Sequence, residues 1–274
     1  MPLPSPLRLR WARLRSAVWR LRTLPYSEAL FAGTSAGTRL ARPFAGGALV
    51  VDVGRSSTER LIWLEGERMI AERHLLAALL RPGMHVADVG ANLGYYMLLF
   101  ARAVGPAGRI DCFEPEPGNL ETLALNVREN RLEGCVRIHP VAAGDVHGFA
   151  RLAPGLNGVV TESGEIEVPL RRLDDLIEPP LGLLKIDVEG FEGPVLRGAA
   201  RLLREAKPAL FVEIHPDLIA PRDTVRGLLA FLRDLYPRFE LWEPSGGGPA
   251  ARLAARYLSR LAVRRIADSE ALCA

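Results

Sequence analysis

Val86-Ala87-Asp88-Val89-Gly90-Ala91-Asn92-Leu93-Gly94, followed at once by Tyr95-Tyr96-Met97-Leu98-Leu99-Phe100, decides the fold. A short apolar run ends in a glycine, and a stretch of helical character starts after a second glycine four positions on. That is a strand entering a helix through a loop whose glycines let the chain turn sharply and let a ligand approach main chain.

The same stretch bears on the ligand. Dinucleotide folds carry G-x-G-x-x-G, which receives a pyrophosphate at the helix N-terminus. Here Asp88 stands two before Gly90, giving D-x-G-x-x-x-G. A carboxylate at that point repels a pyrophosphate and suits the ammonium of a methionine moiety. Charge therefore favours S-adenosylmethionine over NAD, with Asp88, Gly90, Ala91, Asn92 and Gly94 as the cofactor loop.

Outward from the loop, short apolar runs alternate with amphipathic ones, the mark of an α/β fold with a parallel sheet covered on both faces. Strands are expected at 85–89, 109–113, 136–139, 183–188 and 210–214, and helices at 94–104, 116–130, 191–206 and 222–235. Alternating runs at 149–152 and 166–170 place an extra hairpin in an insertion spanning 145–183. Upstream, 49–53 and 60–64 bracket Gly54-Arg55-Ser56-Ser57 as a hairpin, and 67–80 has helical spacing. The chain divides into a basic extension (1–45), a main domain (46–244) and, after Gly246-Gly247-Gly248-Pro249, a basic helical tail (245–274).

Polar residues gather at the expected carboxyl ends of strands, where open α/β sheets bind ligands. Glu114, 20 residues beyond Gly94, is placed to accept two ribose hydroxyls. Ala143 suits the wall against an adenine ring and Asp145 its amino group. Asp187, Glu213 and His215 are the candidate bases facing a sulfonium. The three also suit a divalent cation, but no ligand spacing establishes one, and the reading without metal is preferred. His139 and His74 read as structural.

Composition narrows the classes. Arginine outnumbers lysine 33 to 2, and the net charge of +3 is concentrated at the ends. Six arginines and no acid lie in 1–24, and five arginines and no acid in 251–265. The remaining body carries 24 basic and 30 acidic residues over 25–250, which argues against a nucleic-acid channel. Cys112, Cys135 and Cys273 have no partner spacing for a zinc site or a disulfide framework. No apolar run has membrane-spanning length, and the N-terminal stretch lacks the apolar core of a signal peptide, so a cytoplasmic location is expected. Leu7, Leu9, Trp11, Leu14, Val18, Trp19 and Leu21, interleaved with arginine, give residues 7–24 a face suited to peripheral contact with an anionic membrane. A helix docked on the domain or a partner is the favoured alternative.

The motifs D-V-G-A-N-L-G, F-E-P-E-P, A-A-G-D, L-D-D-L, K-I-D-V-E-G with Glu192, and E-I-H run in order over about residues 60–216. In this the sequence resembles the FkbM family of methyltransferases. The resemblance implies a Rossmann-like, seven-stranded class I methyltransferase fold and transfer of a methyl group from S-adenosylmethionine, usually to a sugar or natural-product hydroxyl. Met97 stands where the family often has Ser or Thr. Two other readings compete: a nicotinamide-dependent oxidoreductase, disfavoured by Asp88, and a non-catalytic Rossmann-type binding module.

Overall fold

A computed structural model describes residues 29–65, 70–153, 158–219, 223–236, 239–242 and 260–263. Its centre is a sheet in which β3 (His85–Val89), β4 (Arg109–Phe113), β5 (Val136–His139), β9 (Leu183–Ile186) and β10 (Ala209–Glu213) run parallel. Beyond β10 lie β12 (Arg260–Val263), antiparallel to both its neighbours, and β11 (Phe239–Trp242) at the edge. The order is β11-β12-β10-β9-β3-β4-β5. The continuous parallel run thus has five strands, and the expected seven are reached only with β11 and β12. Strand β12 falls where the sequence suggested a helical tail. It corrects that expectation, because pairing with both β10 and β11 satisfies strand-edge groups that a helix would leave open.

The strand–helix alternation is as expected, with shifts of a few residues at element ends. It comprises α3 (Tyr95–Val104), α4 (Pro117–Glu129) and α9 (Val225–Leu235), with the expected helix over 191–206 divided into α6 (Glu192–Gly198) and α7 (Ala200–Glu205). Glu116, expected inside the first turn of α4, is its N-cap and accepts the Asn119 N–H at 2.6 Å, while Pro117 takes the first helical position.

Side-chain alternation sends successive strand residues to two cores. Ala87, Val89, Leu184, Ile186 and Val212 join Val195, Leu196, Leu202 and Leu228 on one face. Val86, Ile110, Leu183 and Phe211 join Met97, Phe100, Leu123 and Leu76 on the other. Asp88 and Lys185, register partners on adjacent strands, follow the parity of Val86 and Leu183 and lie on the second face.

The N-terminal half corrects the sequence reading. Arg39–Phe44 (β1) and Gly47–Asp52 (β2) form the hairpin, turning at Ala45-Gly46, whereas Ser57–Glu65 is helix α1. The β1 strand lies upstream of the expected boundary at residue 45. Ser56 explains the local change, since its Oγ accepts the Glu59 N–H at 3.1 Å and starts a helix where a hairpin return was expected. Next comes α2 (Ile70–Leu79). In the insertion, β7 (Gly148–Leu152) and β8 (Ile166–Arg171) pair antiparallel, and β6 (Ala142–Ala143) adds parallel to β8. Helices α5 (Leu173–Leu176) and α8 (Pro216–Ile219) are single turns. Residues 7–24, expected as a membrane-facing or docked helix, lie outside the described residues, as does Cys273. No helix among the described residues is long and apolar enough to cross a membrane.

Two asparagines fasten the hairpin to α4. Asn130 exchanges hydrogen bonds with the Ala48 main chain (2.8 and 2.7 Å), and Asn126 does the same with Val50 (2.7 and 2.9 Å) while also donating to the Leu93 carbonyl at 2.8 Å. Four helical residues rise about 6 Å and two strand residues about 6.6 Å, so carboxamides one turn apart match alternate strand residues. Elsewhere Asp111, fully buried, accepts from His85 (2.6 Å) and His139 (2.7 Å), and His139 stacks on Phe113. That gives His139 the structural role its sequence context suggested. Replacing Asn126 with alanine orphans two buried main-chain groups of Val50 and the Leu93 carbonyl. The expected loss is about 3 kcal/mol, read as a lower urea midpoint at unchanged slope.

Candidate active site

The carboxyl ends of β3, β4, β9 and β10 open on one cleft, the place Rossmann-like topology assigns to ligands. Gly90, Ala91, Asn92, Glu114 and Ala143 line one part of it, and Asp187, Glu213 and His215 another. Thr58 and Ile62 of α1 and Val160 of the insertion close the sides.

The loop is held by the neighbouring strand. The N–H groups of Gly90 and Ala91 both donate to the Phe113 carbonyl (2.9 and 3.1 Å). Gly90 has φ +78°, and a Cβ there would stand 1.9 Å from the Asp187 carbonyl oxygen. Its lack of a side chain is therefore required by the approach of β9's end as well as by the turn. Asn92 is also left-handed (φ +51°), a conformation asparagine tolerates, and its Oδ1 accepts the Leu93 N–H at 2.7 Å. Gly94 does not line the cleft. At φ +95° it faces Leu123 and Met97, which a Cβ would meet at 2.8 and 2.9 Å, so its lack of a side chain serves helix entry and packing.

Asp88 also departs from expectation. It is fully buried and does not line the cleft, and its Oδ1 accepts from Lys185 Nζ at 3.0 Å. The cation beside it is the chain's own, and the second Asp88 oxygen, Oδ2, makes no hydrogen bond among the described residues. Lys185 Nζ also lies 3.4 Å from the Gly90 carbonyl, 3.8 Å from Asp187 Oδ2 and 4.9 Å from the Tyr96 ring centre. Burial alone would lower the Lys185 pKa, but Asp88 and Asp187 overcome this and hold it above its ordinary value. Sequence reasoning gave Lys185 no role of its own. The available signal was a lysine inside an apolar strand in a chain with only two lysines.

Glu114 sits where the sequence placed it. Its Oε2 accepts the Asn92 N–H (2.8 Å), and Oε1 accepts the Glu116 N–H (3.0 Å) and Asn119 Nδ2 (3.1 Å). Burial pushes its pKa up to about 7, against the lowering effect of these donors. Asn119 in turn accepts from Arg55 Nη2 at 2.5 Å, and Arg55 pairs with Glu59 (2.6 Å) and Glu116 (2.8 Å). Asp145, expected at the adenine, is turned away from the cleft and accepts from Arg197 Nε at 2.9 Å.

At the other end His215 is surrounded by acids. Nδ1 bonds Glu192 Oε1 at 2.9 Å, and Glu192 is fully buried. Nε2 faces Glu189 Oε2 (3.4 Å), Asp187 Oδ1 (3.8 Å) and Glu213 Oε1 (3.9 Å). Burial would lower the His215 pKa, but the Glu192 bond and the charges of Asp187 and Glu189 raise it to about 9. Glu189 and Glu192 were quoted in the sequence motif without a site role.

Fold and cleft together define a class I methyltransferase type of Rossmann-like protein. The family model described as the methyltransferase FkbM domain matches residues 88–236, and the chain belongs to that family. Among curated proteins it is 34% identical over 160 residues to 31-O-demethyl-FK506 methyltransferase FkbM of Streptomyces tacrolimicus, covering 43% of this chain and 60% of the relative. It is 28% identical over 144 residues to Methyltransferase 1 of Beauveria bassiana strain ARSEF 2860, covering 41% and 57%. The matched part thus spans about three fifths of the length of these curated relatives. A crystal structure of methyltransferase FkbM from Methylobacillus flagellatus KT aligns with a TM-score of 0.48 at 17% identity, over 90% of this chain and 60% of that one.

Lys185→Met should strand the Asp88 carboxylate and cost about 3–5 kcal/mol in chemical denaturation. Asp88→Leu added to it should recover part of that loss. Equal or additive losses would remove the ion pair as the reason.

Proposed function

We propose that the chain transfers the methyl group of S-adenosylmethionine to a hydroxyl oxygen of a small sugar or natural-product acceptor. The observation carrying this is one cleft lined both by the Gly90–Asn92 loop with the Glu114 carboxylate and by Asp187, Glu213 and His215. The donor set fits the nucleoside half of the methyl donor. Glu114 has a carboxylate facing the cleft for ribose hydroxyls, Ala143 leaves a flat wall for the adenine, and the loop exposes main chain. The Streptomyces relative is a 31-O-demethyl-FK506 methyltransferase, which supports oxygen as the accepting atom.

In methyl transfer the sulfonium supplies the leaving group, and the chain supplies position and proton removal. The acceptor oxygen bonds to the methyl carbon as the carbon–sulfur bond breaks, the electron pair stays on sulfur, and the hydroxyl proton leaves to the protein. Asp187 and Glu213 are the carboxylates at the strand ends placed to receive that proton, while His215, its pKa raised to about 9 by its acidic neighbours, is their protonated partner at neutral pH. Ile62, Val160 and Val188 add apolar lining to the cleft, which supports a small organic acceptor.

S-adenosylhomocysteine should raise the melting temperature and NAD should not. Asp187→Asn and Glu213→Gln should keep that shift while turnover from labelled S-adenosylmethionine falls at least about a hundredfold. Absence of any shift with the wild-type chain would favour a binding module for another ligand. Because ionised Glu114 is the better acceptor for ribose hydroxyls, affinity for S-adenosylhomocysteine should rise as pH increases through about 7. Calorimetric titration should find this dependence lost in Glu114→Gln.

A further inference from the structure

We propose that Asp187, Glu213 and His215 form a binding site for a hard divalent cation of the Mg²⁺ or Mn²⁺ kind, with Glu189 at its edge. The donor atoms of the three residues lie within 4.8 Å of one another. The three carboxylate oxygens stand 3.4, 3.8 and 3.9 Å from His215 Nε2, with the nearest belonging to Glu189. Apart from the 3.4 Å approach these exceed hydrogen-bonding range, yet all three converge on one ring nitrogen. Ligands around an ion at about 2.1 Å stand roughly 3–4 Å apart, which is the range of the distances from Nε2 to these oxygens.

The far side of the ring points to the same assignment independently. Nδ1 is held at 2.9 Å by Glu192 Oε1, which also accepts the Gly190 N–H at 3.0 Å. The other oxygen of that fully buried carboxylate, Oε2, makes no hydrogen bond. A buried carboxylate on one imidazole nitrogen is the arrangement that orients a metal-ligating histidine, and an ion bound here would displace the proton from the other nitrogen. One imidazole among carboxylates favours Mg²⁺ or Mn²⁺ over a thiophilic ion. Lys185 is one positive charge shared between Asp88 at 3.0 Å and Asp187 at 3.8 Å, against the four carboxylates around His215. A cation here would sit where the proposed acceptor hydroxyl loses its proton, and a nearby cation makes that loss easier. The catalytic consequence rests on the methyltransferase reading; the binding site does not.

The test is Mn²⁺ titrated into the full chain, with free ion followed by its electron paramagnetic resonance signal. One site per chain is expected. Asp187→Asn and Glu213→Gln should each weaken it at least about tenfold, and Glu192→Gln about ten- to a hundredfold, while Glu129→Gln on exposed α4 leaves it unchanged. Melting temperature and S-adenosylhomocysteine binding of each variant report whether it is folded. No bound Mn²⁺ in the wild type, or equal binding in all variants, overturns the site. Methyl transfer that persists in chelator with no bound Mn²⁺ sinks the cation and leaves the methyltransferase standing. Bound Mn²⁺ lost in the variants, with no response to S-adenosylhomocysteine, supports the cation and sinks the methyltransferase.

Discussion

The ion pair between Lys185 and Asp88 is the constraint around which the cleft is arranged. The two residues are register partners on β9 and β3, both fully buried, and their 3.0 Å contact joins the two strands whose ends carry the site. The same ammonium approaches the Gly90 carbonyl, Asp187 and the Tyr96 ring, so one charge links the loop, a candidate catalytic acid and the first turn of α3. Buried pairs repay their desolvation poorly, and the gain here lies more in position than in stability. With Gly90 pressed against the Asp187 carbonyl, the loop and the end of β9 form one rigid unit.

A second set of contacts brings the N-terminal segment into the site. Asn126 and Asn130 hold β2, the chain then turns into α1, and Thr58 and Ile62 become walls of the cleft. From the same turn Arg55 reaches Asn119, which donates to Glu114. The orientation of Glu114 therefore depends on residues more than fifty positions upstream. This hydrogen-bonded chain connects a hairpin outside the central sheet to the nucleoside end of the cleft.

The central alternation was legible because each strand is an apolar run of four or five residues with buried flanks, a pattern local in the chain. The hairpin was misplaced because β2 and the α1 run are both short and apolar, and only Ser56 as a cap and Asn126 as an edge partner tell them apart. Among site residues, Gly90, Ala91, Asn92, Glu114, Ala143, Asp187, Glu213 and His215 were identified as strand-end or loop residues, and all face the cleft. Asp88, Gly94 and Asp145 do not, since their partners Lys185, Leu123 and Arg197 come from elsewhere in the chain.

The sequence by itself determined the parallel α/β architecture, the strand-to-helix loop and the family, because periodicity and short motifs are properties of neighbouring residues. Only the tertiary structure decided which charges meet. Whether Asp88 faces a ligand or Lys185, and whether His215 stands alone or within a shell of four carboxylates, depends on strand order and register. Those are set by burial of the whole sheet, and no local run of residues records them.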